Sequence, residues 1–165
     1  MIDREPFDLD AYVQRITTSP CFICKIVADD PAYPHHVIYA DADAIVFLNK
    51  YPTLAGYTLV APRQHREHVT SDFTLAEYLA LQQLVYQVAE ALRRSLPTER
   101  IYILSLGSQQ GNAHVHWHIA ALPPDVPFEQ QQFAALKLDA GTLPLSDDEM
   151  RELARTIRQH LDTLE

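Results

Sequence analysis

No run of lysine or arginine occurs in this sequence. Its 22 Asp and Glu outnumber its 13 Lys and Arg, for a formal net charge of −9. Nucleic-acid polymers are gripped through many basic contacts to the phosphate backbone, so this balance argues against such a partner. A small nucleotide, held by a few local donors, stays compatible with it. Long apolar runs are missing as well. The start, Met1-Ile2-Asp3-Arg4-Glu5-Pro6, is polar and lacks an apolar stretch after a basic opening, so neither a signal peptide nor a membrane span is read. Cysteine is scarce: Cys21 and Cys24 are the only two, too few for a disulfide framework. There is no internal repeat and no low-complexity tract. The expectation is a cytoplasmic chain with no membrane partner, folded as a single domain over residues 1–165, a length that suits one core.

The hydrophobic pattern predicts α+β architecture. Leu9, Tyr12, Val13 and Ile16 recur at helical spacing over residues 8–17, and Ser19-Pro20 ends that run. His36–Ala40 and Ala44–Leu48 read as strands joined by a tight turn at Asp41-Ala42-Asp43, and Gly56–Ala61 as a third that stops at Pro62. Thr74 with Glu77 forms a capping-box pattern, flanked by Phe73 and Tyr78 as a hydrophobic staple. Leu81, Val85, Val88 and Leu92 then mark one helical face up to Pro97. Ile101–Leu104 and His114–Ala121 supply two further strands. Ser146 and Glu149 open a last helix, with Leu145 and Met150 as its staple and Leu153, Ile157 and Leu161 along its face. Meander-like connections predict an antiparallel sheet covered on one face by helices.

One strand breaks the pattern of simple core. In His114-Val115-His116-Trp117-His118-Ile119, histidine alternates with large apolar residues. Side chains alternate across a strand, so Val115, Trp117 and Ile119 take one face and three imidazoles the other. Packing asks for no such row. Imidazole titrates near neutrality, and three in proximity are costly if charged, which points to chemistry or metal binding. His-X-His is also a chelating pair, so a metal-only role competes with a catalytic one. The loop Gly107-Ser108-Gln109-Gln110-Gly111-Asn112 just before it is rich in neutral donors, or is simply a polar turn.

The run His114-Val115-His116-Trp117-His118-Ile119-Ala120-Ala121 resembles the signature of the histidine-triad (HIT) superfamily, His-φ-His-φ-His-φ-φ with φ hydrophobic. Phe47-Leu48-Asn49-Lys50-Tyr51-Pro52, Gly56-Tyr57-Thr58-Leu59-Val60 and Pro62-Arg63-Gln64-His65 resemble its ribose-side strands and loop, and Cys21–Val27 its frequent N-terminal start. The resemblance covers residues 21–123, leaving 124–165 as a helical extension, and implies a HIT-like fold: an antiparallel sheet of roughly five strands with a long helix and a C-terminal helix packed on it. It also implies that His116 attacks the α-phosphorus to give a covalent nucleotidyl-histidine, which water or another acceptor releases. His118 and His114 complete the catalytic set. A phosphate-contacting glutamine falls at Gln110, with Ser108, Gln109 or Asn112 able to substitute. Asn49 matches a ribose-binding residue, beside Phe47.

Cys21-x-x-Cys24 alone reads as two small buried residues or a redox pair. The resemblance implies instead structural Zn²⁺ on Cys21, Cys24, His65 and His114, with His68 a spare ligand and His35, His36 and His160 on the surface. Mg²⁺ accompanying the substrate is compatible with the chemistry. Two departures stand out: Tyr57 replaces the Gly-His of many relatives, and Leu122-Pro123-Pro124 lacks their basic residue. Phe128–Leu138 has no assigned role. Three functions follow: hydrolysis or phosphorolysis of dinucleoside polyphosphates, hydrolysis of nucleoside phosphoramidates or adenylyl conjugates, or a low-turnover zinc- or nucleotide-binding module. The resemblance further implies a homodimer.

Overall fold

The computed structural model describes residues 3–164; Met1, Ile2 and Glu165 of the expected single domain lie outside the described residues. Five strands, β1 (Val37–Ala40), β2 (Ala44–Leu48), β3 (Thr58–Pro62), β4 (Arg100–Ser105) and β5 (Trp117–Leu122), form one antiparallel sheet in the order β1-β2-β3-β5-β4. The crossover is made by the long helix α3 (Leu75–Ser95), and a C-terminal helix α5 (Asp147–Leu161) packs beside it.

Both capping boxes form. The Thr74 and Ser146 side chains accept from the amides of Glu77 and Glu149, whose carboxylates accept from the cap backbone in return. Each such cap is worth about 1 kcal/mol. Leu81, Val85, Val88 and Leu92 of α3 and Met150, Ile157 and Leu161 of α5 are buried against Val46, Val60, Val115, Trp117 and Ile119. Period-two alternation sends the other strand residues, Ile45, Phe47, Leu59, Ala120 and Leu122, to the opposite face. That face is also buried. A short helix absent from the sequence reading, α2 (Phe22–Val27), inserts Ile23 and Ile26 there, joined by Leu54, Val126 and Ala135. The Phe128–Leu138 stretch, to which no role was assigned, supplies part of this cover through Ala135 and Leu136 of α4 (Phe133–Leu136).

The early helix α1 (Leu9–Thr18) is capped by Asp8, whose carboxylate accepts from Ala11 N at 2.9 Å. It buries no residue completely, and Leu9 and Val13 remain 38% and 45% exposed. Gly56 precedes β3 with φ +68°, and a Cβ there would lie 2.6 Å from Leu92 Cδ1. The positive φ favours glycine, and a larger residue would also displace the Leu92 side chain. Among the described residues, no helix is long and apolar enough to cross a membrane.

Candidate active site and metal centre

β5 starts three residues later than the expected strand from His114. Its ladder with β3 runs through Thr58↔Ile119, Leu59↔His118 and Val60↔Trp117. Pro62, at the end of β3, has no N–H to extend it. The 114–116 segment is instead held by substitutes: Val115 N donates to Arg66 O at 2.7 Å, and Ser105 Oγ donates to His116 O at 2.8 Å. Ser105 therefore positions the His116 backbone, a role with no signal in the sequence.

Two backbone carbonyls fix two tautomers. His116 Nδ1 lies 2.7 Å from His114 O, and His114 Nε2 lies 2.8 Å from Pro62 O. A carbonyl can only accept, so each of those nitrogens carries the proton. His116 is left with its lone pair on Nε2, and His114 with its own on Nδ1. His118 packs beside His116 with ring centroids 4.6 Å apart, and the Tyr57 hydroxyl meets His118 Nδ1 at 3.2 Å. The phenol at position 57 thus contacts the last histidine of the triad.

Burial dominates the electrostatics here. It lowers the pKa of His116. Burial, reinforced by the nearby His116, pushes His118 down to about 3. Both rings are neutral at pH 7, and neutral imidazole is the nucleophilic form. Tyr57 is pushed up to about 12 by burial, so its phenol keeps its proton.

On the other side of His114 lies a second constellation. The ligand atoms of Cys21, Cys24, His65 and His114 all fall within 4.8 Å of one another. His114 Nδ1 is 3.4 Å from Cys21 Sγ and 3.5 Å from Cys24 Sγ, and His65 Nδ1 is 3.2 Å from Cys24 Sγ. Tetrahedral zinc with ordinary Zn–S and Zn–N bonds sets sulfur and nitrogen ligands about 3.5 Å apart, so the four donors fit that ion. The chain brings them together from three places: Cys21 caps α2 and Cys24 sits in its first turn, His65 follows β3, and His114 precedes β5. Desolvation, then the neighbouring Cys21, raises the Cys24 thiol to about 11. His68 stands apart, paired with Asp72 at 3.3 Å.

A pocket of about 580 Å³ opens over the triad. Phe47, Asn49, Gln109, Gln110, Asn112 and all three triad histidines line it. Ser108 does not; its hydroxyl turns to Gln110 Oε1. Asn49 Oδ1 accepts from Tyr51 N at 2.9 Å, and Asn112 donates to the Tyr12 hydroxyl at 3.1 Å. No carboxylate lines the pocket among the described residues, so protein ligands for Mg²⁺ are lacking there. His35, expected on the surface, is a wall residue instead: its ring stacks on Phe22 at 6.2 Å and meets Phe47 edge-on at 5.5 Å, and burial lowers its pKa. His36 is partly buried against Asp147 at 3.0 Å, and His160 is also partly buried. Tyr12, Arg15 and Ile16 of α1, with Lys50 and Tyr51, complete the wall. Sequence spacing offered no sign that α1 reaches the site.

Comparison with known proteins agrees with this geometry. An uncharacterized HIT-like protein of Mycoplasma genitalium is 30% identical over 112 residues, 67% of this chain and 77% of the relative. The adenosine 5'-monophosphoramidase of Schizosaccharomyces pombe is 27% identical over 142 residues, 83% of this chain and 95% of that enzyme. A zinc-bound histidine triad family protein from Mycobacterium smegmatis superposes with a TM-score of 0.67 at 24% identity, covering 90% of this chain and 96% of that one. The HIT domain family model matches residues 30–124, a span that takes in the whole sheet, one metal-facing histidine loop and the paired carbonyl-locked imidazoles, and the chain is accordingly a member of the HIT domain family.

Proposed function

We propose that this protein is a nucleotide hydrolase or nucleotidyl transferase that works through a covalent intermediate on His116, with dinucleoside polyphosphates as its substrates. The observation that carries this reading is the locked tautomer of His116, whose Nδ1–H donates to the His114 carbonyl at 2.7 Å. In the first step the Nε2 lone pair forms a bond to the α-phosphorus while the phosphorus–oxygen bond to the leaving nucleoside polyphosphate breaks with its electron pair. The ring becomes cationic, and the Nδ1–H···O=C bond supports that charge. Water then adds to phosphorus, the P–N bond breaks, the nucleoside monophosphate departs with one proton released, and neutral imidazole is restored. His118, beside His116, faces the phosphate oxygens as a donor; Gln109 and Gln110 serve the same anion, and Asn49 and Phe47 the ribose and base. Ser108 and Asn112, whose side chains are engaged elsewhere, shape the loop.

Zn²⁺ on Cys21, Cys24, His65 and His114 would supply structure, pinning α2 to the loop after β3 and to the triad segment. A zinc-bound histidine triad protein of the same fold supports this assignment. We further place the protein in the cytoplasm as a homodimer, with β4, one of the two edge strands, as the edge available to a second copy.

The test is to react the protein with α-³²P-labelled diadenosine tetraphosphate, quench in denaturant and map the label. A base-stable phosphoramidate on His116 is expected. His116→Asn should lose both label and turnover, by roughly 10³-fold or more, while still binding nucleotide. Label on another residue, or turnover retained by the variant, refutes the mechanism. The likeness to a monophosphoramidase over 83% of the chain favours a second reading, hydrolysis of nucleoside phosphoramidates by the same nucleophile. A protein that binds nucleotide without ever forming the adduct would be a binding module.

A further inference from the structure

The cations of the pocket come from outside the triad. Arg15 and Lys50 both line it, no carboxylate does, and no ion pair joins either to an acidic residue among the described residues. In a chain of net charge −9, two unpaired cations on one concave surface mark a place kept for an anion. The guanidinium is also held in place. Its Nη2 donates to the Tyr51 hydroxyl at 3.1 Å, and its carbon lies 5.6 Å from the Tyr12 ring and 5.5 Å from the Tyr51 ring. Stacking of this kind is worth about 0.5–1 kcal/mol at an exposed site and limits the freedom lost on binding.

α1 contributes no residue to the core, yet it touches both loops that flank the pocket. Tyr12 meets Tyr51 edge-on at 5.8 Å on one side and accepts from Asn112 at 3.1 Å on the other. Gly111 runs so close that a Cβ there would lie 3.2 Å from Ile16 Cγ1. α1 lies before residue 30, where the family match begins.

We propose that Arg15, assisted by Lys50, is a specificity-determining residue that binds the β- and γ-phosphates of the substrate, selecting nucleotides with a polyphosphate chain over monophosphate conjugates. The inference rests on the reading of the pocket as a nucleotide site. It deepens that reading by choosing between its two substrate classes. A planar donor fork on the wall of the pocket that the triad also lines can pair with the leaving-group phosphates, which a phosphoramidate lacks.

The experiment is calorimetric titration of the full chain, without added Mg²⁺, with AMP and with α,β-methylene-ATP, which cannot react at the α-phosphorus. The wild type should bind the triphosphate analogue about 10- to 100-fold more tightly than AMP, the worth of one or two hydrogen bonds to a charged group. Arg15→Gln should erase most of that ratio and flatten its dependence on salt; Arg15→Lys should restore part of it. A ratio within twofold of the wild type in Arg15→Gln overturns the inference, as does a wild type that binds both ligands alike. Neither result touches the nucleophile, which the His116 adduct decides separately. Adduct without the affinity step leaves the mechanism standing and removes Arg15 from it.

Discussion

Replacing Tyr57 by Phe isolates one atom. The ring is 5% exposed, so the change leaves the packing shape intact and no cavity forms. What disappears is the hydroxyl 3.2 Å from His118 Nδ1. An average hydrogen bond contributes about 1 kcal/mol net, and leaving a buried partner without its mate costs about 1–3 kcal/mol. The edge-on ring contact at 5.8 Å survives, so the expected loss is about 1–2 kcal/mol. For a domain of this size that lowers the melting temperature by about 2–8 °C. If the same bond holds the His118 ring in its working orientation, kcat falls by about 5- to 30-fold with little change in KM. Scanning calorimetry and initial rates on diadenosine tetraphosphate measure both. Because burial holds the phenol's pKa near about 12, the deficit should be constant between pH 6 and 9. A variant as stable and as fast as the wild type would show that the contact carries neither load.

Acid should unfold the protein partly through its buried imidazoles. His118 titrates at about 3 when folded, against an ordinary value near 6.5, so the unfolded chain binds the extra proton and stability falls as pH drops from about 6.5 toward 3. Urea unfolding between pH 4 and 6 should give a slope shallower by about 1.4 kcal/mol per pH unit in His118→Asn than in the wild type; equal slopes contradict the burial argument. Metal analysis by mass spectrometry should find one zinc per chain and none in Cys24→Ser, whose melting temperature falls; equal zinc content in the two would dissolve the four-ligand assignment. Gly56→Ala should cost about 2–4 kcal/mol, combining the left-handed backbone with overlap on Leu92, and denaturant melts that move by less than about 1 kcal/mol would rule that strain out.

Local chemistry was legible before any coordinates. The capping boxes at Thr74 and Ser146 formed as read because a cap is a contact among near neighbours in sequence. Period two placed Val115, Trp117 and Ile119 against the long helices. Long-range arrangements were not legible. Nothing in Leu9, Tyr12, Val13 and Ile16 says that their helix would roof a pocket rather than fill a core. α2 escaped notice because six residues are too few to show helical periodicity, and its N-cap is a cysteine rather than a usual capping residue. His35 was expected on the surface, and only the tertiary fold sets it between Phe22 and Phe47. The late start of β5 traces to Pro62, whose missing amide ends the ladder and whose carbonyl is then free for His114.

His114 faces two ways at once. Its ring nitrogen looks toward Cys21 and Cys24, while its main-chain oxygen holds the proton of the neighbouring His116 ring. Any ion seated among the sulfurs is therefore joined through His114 to the His116 ring, and a tilt of the intervening peptide is felt at both ends. Metal content and reactivity in this protein should drift together through mutation and through storage, so an inactive preparation is best checked first for what it has lost from the cysteines.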